Sequence, residues 1–99
     1  TLMMNVVFQG NIRRYDMNYA VIFTYSFDPE VPVYLFADFD SAADFLRTSM
    51  MDELKIDVEE NGWNSVLEFS EDNDYAKITT YFFDHTDITE AYIGTIYNR

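Results

Sequence analysis

The clearest pattern along the chain is an alternation of side chains with a period of two residues. From Asn18 to Phe27, large apolar residues fill the odd-numbered positions, and smaller or polar residues fill most of the even-numbered ones. Successive side chains of a β-strand lie on opposite faces of a sheet, so this period predicts a strand. A turn at Asp28-Pro29-Glu30 and a strand from Val31 to Ala37 follow, and we expect the two strands to form a hairpin.

A helical period replaces the alternation after residue 38. Asp40 or Ser41 can cap the free amide groups of a helix, and Asp44 places negative charge near its positive end. The apolar residues that follow recur at the three- and four-residue spacing of one helix face: Ala42, Ala43, Phe45, Leu46 and Met50. This pattern predicts one amphipathic helix after the hairpin.

Residues 54–60 support two interpretations. Their apolar and charged residues alternate as in a strand, and a continued helix places Glu53 and Asp57 toward the middle of its apolar face. The preceding residues are on the whole good helix formers, however, and Gly62 suits a helix stop. We therefore favour a helix from about Ser41 to Glu60. The alternative makes 54–60 a strand that ends in a hairpin turn at the same glycine.

The last third of the chain predicts three short strands separated by polar turns. The strands run from Val66 to Phe69, from Tyr75 to Phe83 and from Ile88 to Tyr97. Short connections favour antiparallel neighbours. The sequence therefore predicts an α+β fold, with an antiparallel sheet of about five strands in the order β-β-α-β-β-β and one helix packed on one face. The opposite face keeps many aromatic residues, which makes homodimerisation through it an alternative hypothesis.

The chain divides into a short first segment and one domain. Residues 17–99 have the size of an ordinary domain and are predicted to form a single α+β unit. Residues 1–16 differ from them, because they hold Arg13 and Arg14 and only one acid, Asp16. They are interpreted either as an extension upstream of a natural start at Met17 or as an edge strand from Met3 to Gln9.

Acidity is the strongest feature of the composition. The 99 residues include 18 Asp and Glu against 6 Lys and Arg, for a net charge of -12. Such a chain repels nucleic acid, whose binding depends on Lys and Arg neutralising phosphates, and it repels anionic membranes. Its expected partner is a basic protein surface, in particular that of a nucleic-acid-handling protein, toward which its field would steer it.

The sequence offers no constellation for catalysis or metal binding. Cysteine is absent, which excludes a disulfide, a thiol nucleophile and a thiolate metal site. His85 is the only histidine, and the acids of the 71–74 turn lack the central Gly and closing Glu of a calcium loop. We therefore expect a non-enzymatic protein without metal or cofactor. Because no apolar run approaches the roughly 20 residues of a membrane span, we also expect a soluble, cytoplasmic protein.

The acidic residues cluster at the predicted turns and on the predicted helix. Spaced carboxylates can imitate the phosphate array of a nucleic acid and occupy a basic groove. The alternative is a solvated acidic surface that only keeps a small protein soluble. The candidate partner-binding residues are Asp52, Glu59, Glu60, Glu71, Asp72 and Asp74.

Four short motifs carry a resemblance to a known group of proteins: Tyr34-Leu35-Phe36, Glu59-Glu60-Asn61-Gly62-Trp63, Tyr75-Ala76-Lys77-Ile78-Thr79 and Ile93-Gly94-Thr95. Over most of residues 19–97 the chain resembles small acidic proteins of unknown function found on bacterial mobile elements. In overall character it is also similar to anti-restriction and anti-CRISPR inhibitors. The resemblance implies a binding or inhibitory role and assigns a function to no particular residue.

Overall fold

The computed structural model describes residues 4–5 and 17–96. Along the chain these form strands β1 (Met4–Asn5), β2 (Tyr19–Tyr25) and β3 (Val31–Phe36), helix α1 (Phe39–Lys55) with a π-helical turn (Ile56–Glu60), and strands β4 (Asn64–Phe69), β5 (Tyr75–Tyr81) and β6 (Thr86–Thr95). The α+β class and the β-β-α-β-β-β order are confirmed from β2 onward. Residues 1–16 were predicted to be an extension or an edge strand, and β1 is the only part of them that the structure describes. The last strand was predicted to end at Tyr97, which lies outside the described residues.

The six described strands form one sheet in the order β1-β3-β2-β6-β5-β4. Strands β2 to β6 pair antiparallel, as predicted, whereas the two-residue β1 pairs parallel with β3 at the edge of the sheet. The last described strand, β6, lies near the centre, since it pairs with β2 on one side and with β5 on the other. It thereby joins the β2–β3 hairpin and the β4–β5–β6 meander into one sheet.

Helix α1 covers one face of the sheet, and the core lies between them. Ala42, Leu46 and Met50 follow one another at four-residue spacing on α1 and are buried. They pack against buried side chains of the central strands: Val21, Phe23, Ala76, Ile78 and Ala91. Fully burying a leucine or methionine contributes roughly 1.5–3 kcal/mol, so Leu46 and Met50 hold the helix on the sheet.

Asp38, rather than Asp40 or Ser41, caps the first turn of α1. Its Oδ1 accepts a hydrogen bond from the Ser41 amide at 2.7 Å. The helix begins at Phe39, two residues earlier than predicted, and this places Asp38 at the capping position. The same hydrogen bond holds the pKa of Asp38 below its ordinary value, because it favours the ionised carboxylate.

The other end of the helix confirms the helical interpretation of residues 54–60. Helix α1 runs to Lys55, and the Asn61 amide then donates to the Ile56 carbonyl oxygen at 3.0 Å, which closes the π-helical turn. Gly62 follows with a φ of 69°, in the left-handed region that ends many helices. None of the described helices has the length and apolar character needed to cross a membrane.

Candidate functional site

The six acidic residues predicted to contact a partner are all exposed. Asp52 lies on α1, seven residues before Glu59. The other five fall into two groups at opposite ends of β4: the helix-end acids Glu59 and Glu60 and the turn acids Glu71, Asp72 and Asp74. Strand β4 has six residues, and a strand rises about 3.3 Å per residue, so about 20 Å of strand separates them. The predicted contacts therefore form two acidic surfaces and not one.

The turn acids lie in a hairpin that local hydrogen bonds hold in place. Ser70 Oγ donates to Asp74 Oδ1 at 2.8 Å, and Asn73 adopts a left-handed φ of 59°. Asp74 therefore stabilises the turn as well as carrying charge. Glu71 and Asp72 form no hydrogen bond or ion pair with the described residues, so their carboxylates are free to meet a partner.

The negative charge of the described region is not compensated internally. Between residues 17 and 96, seventeen acids stand against three bases, Arg47, Lys55 and Lys77, and none of the three forms an ion pair there. Arg47 instead donates to the side-chain oxygen of Asn73 at 2.9 Å and lies 4.5 Å from the centre of the Phe69 ring. The carboxylates on both acidic surfaces consequently keep their attraction for an external cation.

Exposed apolar side chains lie beside the helix-end acids. Val58 and Trp63 are 44% and 43% exposed, and the Trp63 ring packs edge-on against Phe82 with ring centres 5.2 Å apart. The next residue, Phe83, is 99% exposed. Exposed aromatic residues beside charged ones are typical of the energetic centres of protein interfaces. We call the following set the helix-end surface: Val58, Glu59, Glu60 and Trp63.

Trp63 and Phe83 are functional candidates that the sequence prediction did not include. Trp63 follows Gly62 at the end of the helix, and Phe83 precedes the polar Asp84-His85 turn. A solvated turn has no need of a large ring, and this mismatch between residue type and position was the available signal. Their exposure, however, depends on the packing of the whole domain.

Most of the strand aromatics lie on the face that α1 covers: Tyr19, Phe23, Tyr25, Tyr34 and Phe36. The opposite face, which we call the outer face, brings together Tyr75, Tyr81 and Tyr92. On this face Tyr81 and Val66 are 51% and 46% exposed, while Ala20 and Val33 are buried. The aromatic surface available for dimerisation is thus smaller than the sequence predicted, because the helix takes most of the rings into the core.

A carboxylate is buried beneath the helix end. Asp57 is 6% exposed and accepts a hydrogen bond from Ser65 Oγ at 3.5 Å, and Ser65 shares a second one with Thr80 at 2.7 Å. Burial raises the pKa of Asp57 because the ionised form loses its hydration, and the bond from Ser65 acts in the opposite direction. No cationic side chain of the described region contacts this group.

His85 lies in the turn between β5 and β6. Its Nδ1 is 2.7 Å from Asp84 Oδ1, its Nε2 is 3.6 Å from Asp87 Oδ1, and its ring stacks on Phe82 at 4.6 Å. The hydrogen bond to Asp84 raises the pKa of His85, because it favours the imidazolium. The described residues contain no group of three or more His, Asp or Glu side chains placed to hold a metal ion.

The exposed acids and rings have no counterpart in a characterised relative from which a role could be transferred. No protein-family model, curated protein or solved structure matches this chain. The chemistry of its own residues is therefore the basis for assigning a function.

Proposed function

We propose that this protein is a non-enzymatic binding or inhibitor protein that engages a basic protein surface. The partner is a nucleic-acid-handling protein of the cytoplasm, whose cationic groove the acidic protein occupies as a nucleic-acid mimic of the anti-restriction or anti-CRISPR type. The observation that carries this proposal is the unpaired charge: none of the three bases between residues 17 and 96 forms an ion pair with any of the seventeen acids around them.

Unpaired carboxylates favour a cationic partner for a simple electrostatic reason. Oppositely charged surfaces accelerate association and suppress wrong partners, whereas a phosphate backbone or an anionic membrane would be repelled. Nucleic acid is therefore not expected as a direct ligand. No cofactor or metal enters the proposed interaction.

The helix-end surface supports binding over mere solubility. A purely solvated acidic surface gains nothing from exposing Val58 and Trp63, whereas an interface needs apolar anchors inside a polar rim. The described turn that carries Glu71, Asp72 and Asp74 exposes no large apolar side chain of its own. We therefore place the centre of the interface at the helix end.

Matched charge reversals test this placement. The double variant Glu59→Lys/Glu60→Lys and the double variant Glu71→Lys/Asp72→Lys change the net charge equally, at opposite ends of β4. Immobilised protein is used to capture partners from an extract of the native host at about 0.1 M and about 1 M salt, between which the screening length falls from about 10 Å to about 3 Å. Capture should fail at high salt and with the helix-end variant, and persist with the turn variant.

Two results would decide against the proposal. Equal capture by wild type and both variants at both salt concentrations would remove electrostatics from the interaction, as would direct retention of nucleic acid by the purified protein. Trp63→Ala supplies an independent measure, because loss of an anchor should weaken a captured complex by at least about tenfold while leaving its salt dependence unchanged.

A second candidate function is structural, with assembly into a homodimer through the outer face. The exposure of Tyr81 and Val66 on that face supports it. It predicts a dimer whose dissociation depends on concentration and little on salt. Sedimentation equilibrium distinguishes the two candidates: a monomer at high concentration contradicts the second, and Val66→Lys should dissociate any dimer that forms through this face.

A further inference from the structure

A cavity of about 160 Å³ opens between α1 and the sheet, at the end of β2. Side chains from three strands and the helix line it, among them Phe23, Tyr25, Tyr34, Phe45, Glu53 and Thr89. Tyr34 remains 38% exposed, so the cavity is accessible from solvent. Protein cavities of about 150 Å³ admit a ligand the size of benzene, and this one therefore has room for a small head group.

Aromatic residues make up half of the side chains that line the cavity. Phe23 is nearly perpendicular to both Tyr34 and Phe45, with ring centres 5.9 Å and 6.2 Å away, and the centres of Tyr34 and Phe45 are 4.9 Å apart. Tyr25 contributes a further ring from the end of β2. The faces of aromatic rings are electron-rich and attract ammonium and guanidinium groups within about 6 Å. A wall of this composition selects for organic cations among polar ligands.

The charges around the cavity have one sign. Glu53 is half-buried in its wall and forms no hydrogen bond or ion pair with the described residues. Burial raises the pKa of Glu53, and the charge of Asp57 raises it further. The pKa of Tyr25 is also raised, first by burial and then by nearby charges that include those of Glu53, Asp28 and Glu30. A half-buried carboxylate without a partner is costly, and a cation beside it would remove that cost.

We propose that this aromatic cavity binds an organic cation, with Glu53 as its counter-ion and the rings of Tyr25, Tyr34 and Phe45 as its walls. The proposed function supplies the source of the cation: a lysine or arginine side chain of the basic partner. A free quaternary ammonium compound has the same chemistry and is the other source. The Ser49 hydroxyl, which forms no hydrogen bond within the described residues, offers a second polar contact to an N–H donor.

Neutral and anionic ligands fit the cavity less well. A neutral apolar group would leave the Glu53 carboxylate further desolvated and still unpaired, and an anion would meet the combined repulsion of Glu53, Asp28 and Glu30. An arginine or lysine side chain satisfies both the rings and the carboxylate. Its stem would also pack against apolar surface near the cavity mouth.

Charged and neutral probe pairs test the proposal on the isolated protein. One pair is a five-residue glycine peptide with a central arginine against the same peptide with citrulline, its neutral counterpart, together with the lysine version. The other pair is choline against its neutral carbon analogue 3,3-dimethyl-1-butanol. Aromatic proton–carbon NMR spectra follow Tyr25, Tyr34 and Phe45 during each titration. The arginine or lysine peptide should shift these signals at a concentration at least about fivefold lower than citrulline does.

Three variants assign the effect to the cavity. Glu53→Gln should weaken binding of the cationic peptide by about tenfold, and Tyr34→Leu should weaken it by a similar factor. Asp44→Asn removes the same charge from an exposed position of α1 outside the cavity and should leave binding unchanged. Melting temperatures of all three confirm that they are folded. Tyr34→Leu removes an aromatic ring and keeps the Glu53 carboxylate, whereas Glu53→Gln removes the charge and keeps the rings. Each variant therefore tests one part of the proposed site separately.

The outcomes separate this proposal from the proposed function. Equal binding of charged and neutral probes, or no shift with any probe, overturns the cation site, and it leaves salt-dependent capture of a basic partner untouched. If choline saturates the cavity and neither cationic peptide binds, a side chain of the partner is not the source of the cation. Cation-selective binding that Glu53→Gln abolishes supports the site even if no basic partner is captured.

Discussion

Tyr75 on β5 donates a hydrogen bond from its hydroxyl to Glu90 Oε2 on β6, at 2.5 Å, across the outer face of the sheet. The two residues are diagonal neighbours, because Tyr75 lies opposite Tyr92 in the register of the two strands. Diagonal pairs are within reach of long side chains on one sheet face. This bond to a carboxylate links the central strand β6 to its neighbour β5.

Tyr75→Phe should lower the free energy of unfolding by roughly 1.5–3 kcal/mol, because a hydrogen bond to a charged acceptor is lost. Burial, followed by the bond to Glu90, raises the pKa of Tyr75 to about 12 from an ordinary value of 10.0. A raised pKa means that the neutral phenol is favoured in the folded state. Its contribution to stability is therefore complete below pH 10 and declines as the pH rises toward 12.

Absorbance at tyrosinate wavelengths and chemical denaturation measure both effects. The variant should lose the tyrosine titration step near pH 12. Tyr81→Phe is the matched control, because Tyr81 lies on the same strand and face, is 51% exposed and forms no hydrogen bond through its hydroxyl with the described residues. Equal stability of Tyr75→Phe and Tyr81→Phe would contradict the assignment.

Gly62 ends the helix in a conformation that other residues adopt only with strain. Its φ is 69°, although a Cβ built there would meet no atom within 4 Å. Gly62→Ala should therefore destabilise the protein by about 1 kcal/mol through backbone conformation alone, and Gly62→Asn by less. Thermal unfolding with two-state analysis provides the measurement.

Gly94 is the control for this prediction. It lies in β6 without a positive φ, and an added Cβ would meet Ile22 Cδ1 at 3.9 Å, an ordinary contact. Gly94→Ala should leave stability unchanged or raise it by about 0.4–1 kcal/mol, since alanine reduces the freedom of the unfolded chain. If both substitutions cost the same, the left-handed backbone of Gly62 is not the cause.

The titration of His85 reports on its contact with Asp84. Because the hydrogen bond that His85 donates to Asp84 favours the imidazolium, the pKa of His85 should lie above its ordinary value of 6.5. A raised histidine pKa stabilises the folded state below the unfolded value, and this contribution disappears as the pH rises through the folded value. Asp84→Asn should lower the pKa, as followed by the imidazole proton signals in NMR, and Asp72→Asn in the distant β4–β5 turn should leave it in place. A histidine that titrates at or below 6.5 in the wild type would contradict the contact.

Local patterns predicted the elements because each depends on neighbouring residues. The alternation from Asn18 to Phe27 predicted a strand with the correct faces, and Tyr19, Phe23 and Tyr25 do face the helix. The strand ends at Tyr25, however, and Phe27 is exposed in the turn that follows. The helix begins at Phe39 and not near Ser41, and Asp38 caps it in place of Asp40 or Ser41. Several polar residues near a helix start can fill the capping position, so the sequence did not distinguish them. The helical interpretation of 54–60 was right, and the structure adds its π-helical geometry.

Features that depend on distant contacts could not be predicted in the same way. The pairing of β6 with β2 joins residues about 70 positions apart, and no local signal encodes it. The division of the acids into two surfaces, by contrast, follows from the length of β4, which lies between them in the sequence. The placement of Glu53 and Asp57 on the apolar side of the helix was visible in the sequence as a conflict of pattern, and both carboxylates do lie where the conflict pointed. Such conflicts often mark functional positions.

Asp57 provides the sharpest test of the buried carboxylates. Burial holds its pKa above the ordinary value of 3.8, so the folded state favours the protonated acid and resists its ionisation. The cost of ionised Asp57 is therefore complete at neutral pH and decreases as the pH falls through the raised pKa. Asp57→Asn, which can still accept the bond from Ser65, should stabilise the protein at pH 7 by on the order of 1 kcal/mol. That gain should shrink toward pH 4.

Denaturant unfolding at pH 7, 5.5 and 4 measures the difference between this variant and the wild type. Asp52→Asn removes the same charge from an exposed neighbouring position and accounts for the general relief of repulsion in an acidic protein. The difference between the two variants isolates the effect of burial at Asp57. The prediction is contradicted if Asp57→Asn is less stable than Asp52→Asn at pH 7, or if the difference in stability between these two variants does not change with pH. Either result would show that the ionised carboxylate of Asp57 is favourably solvated where it lies.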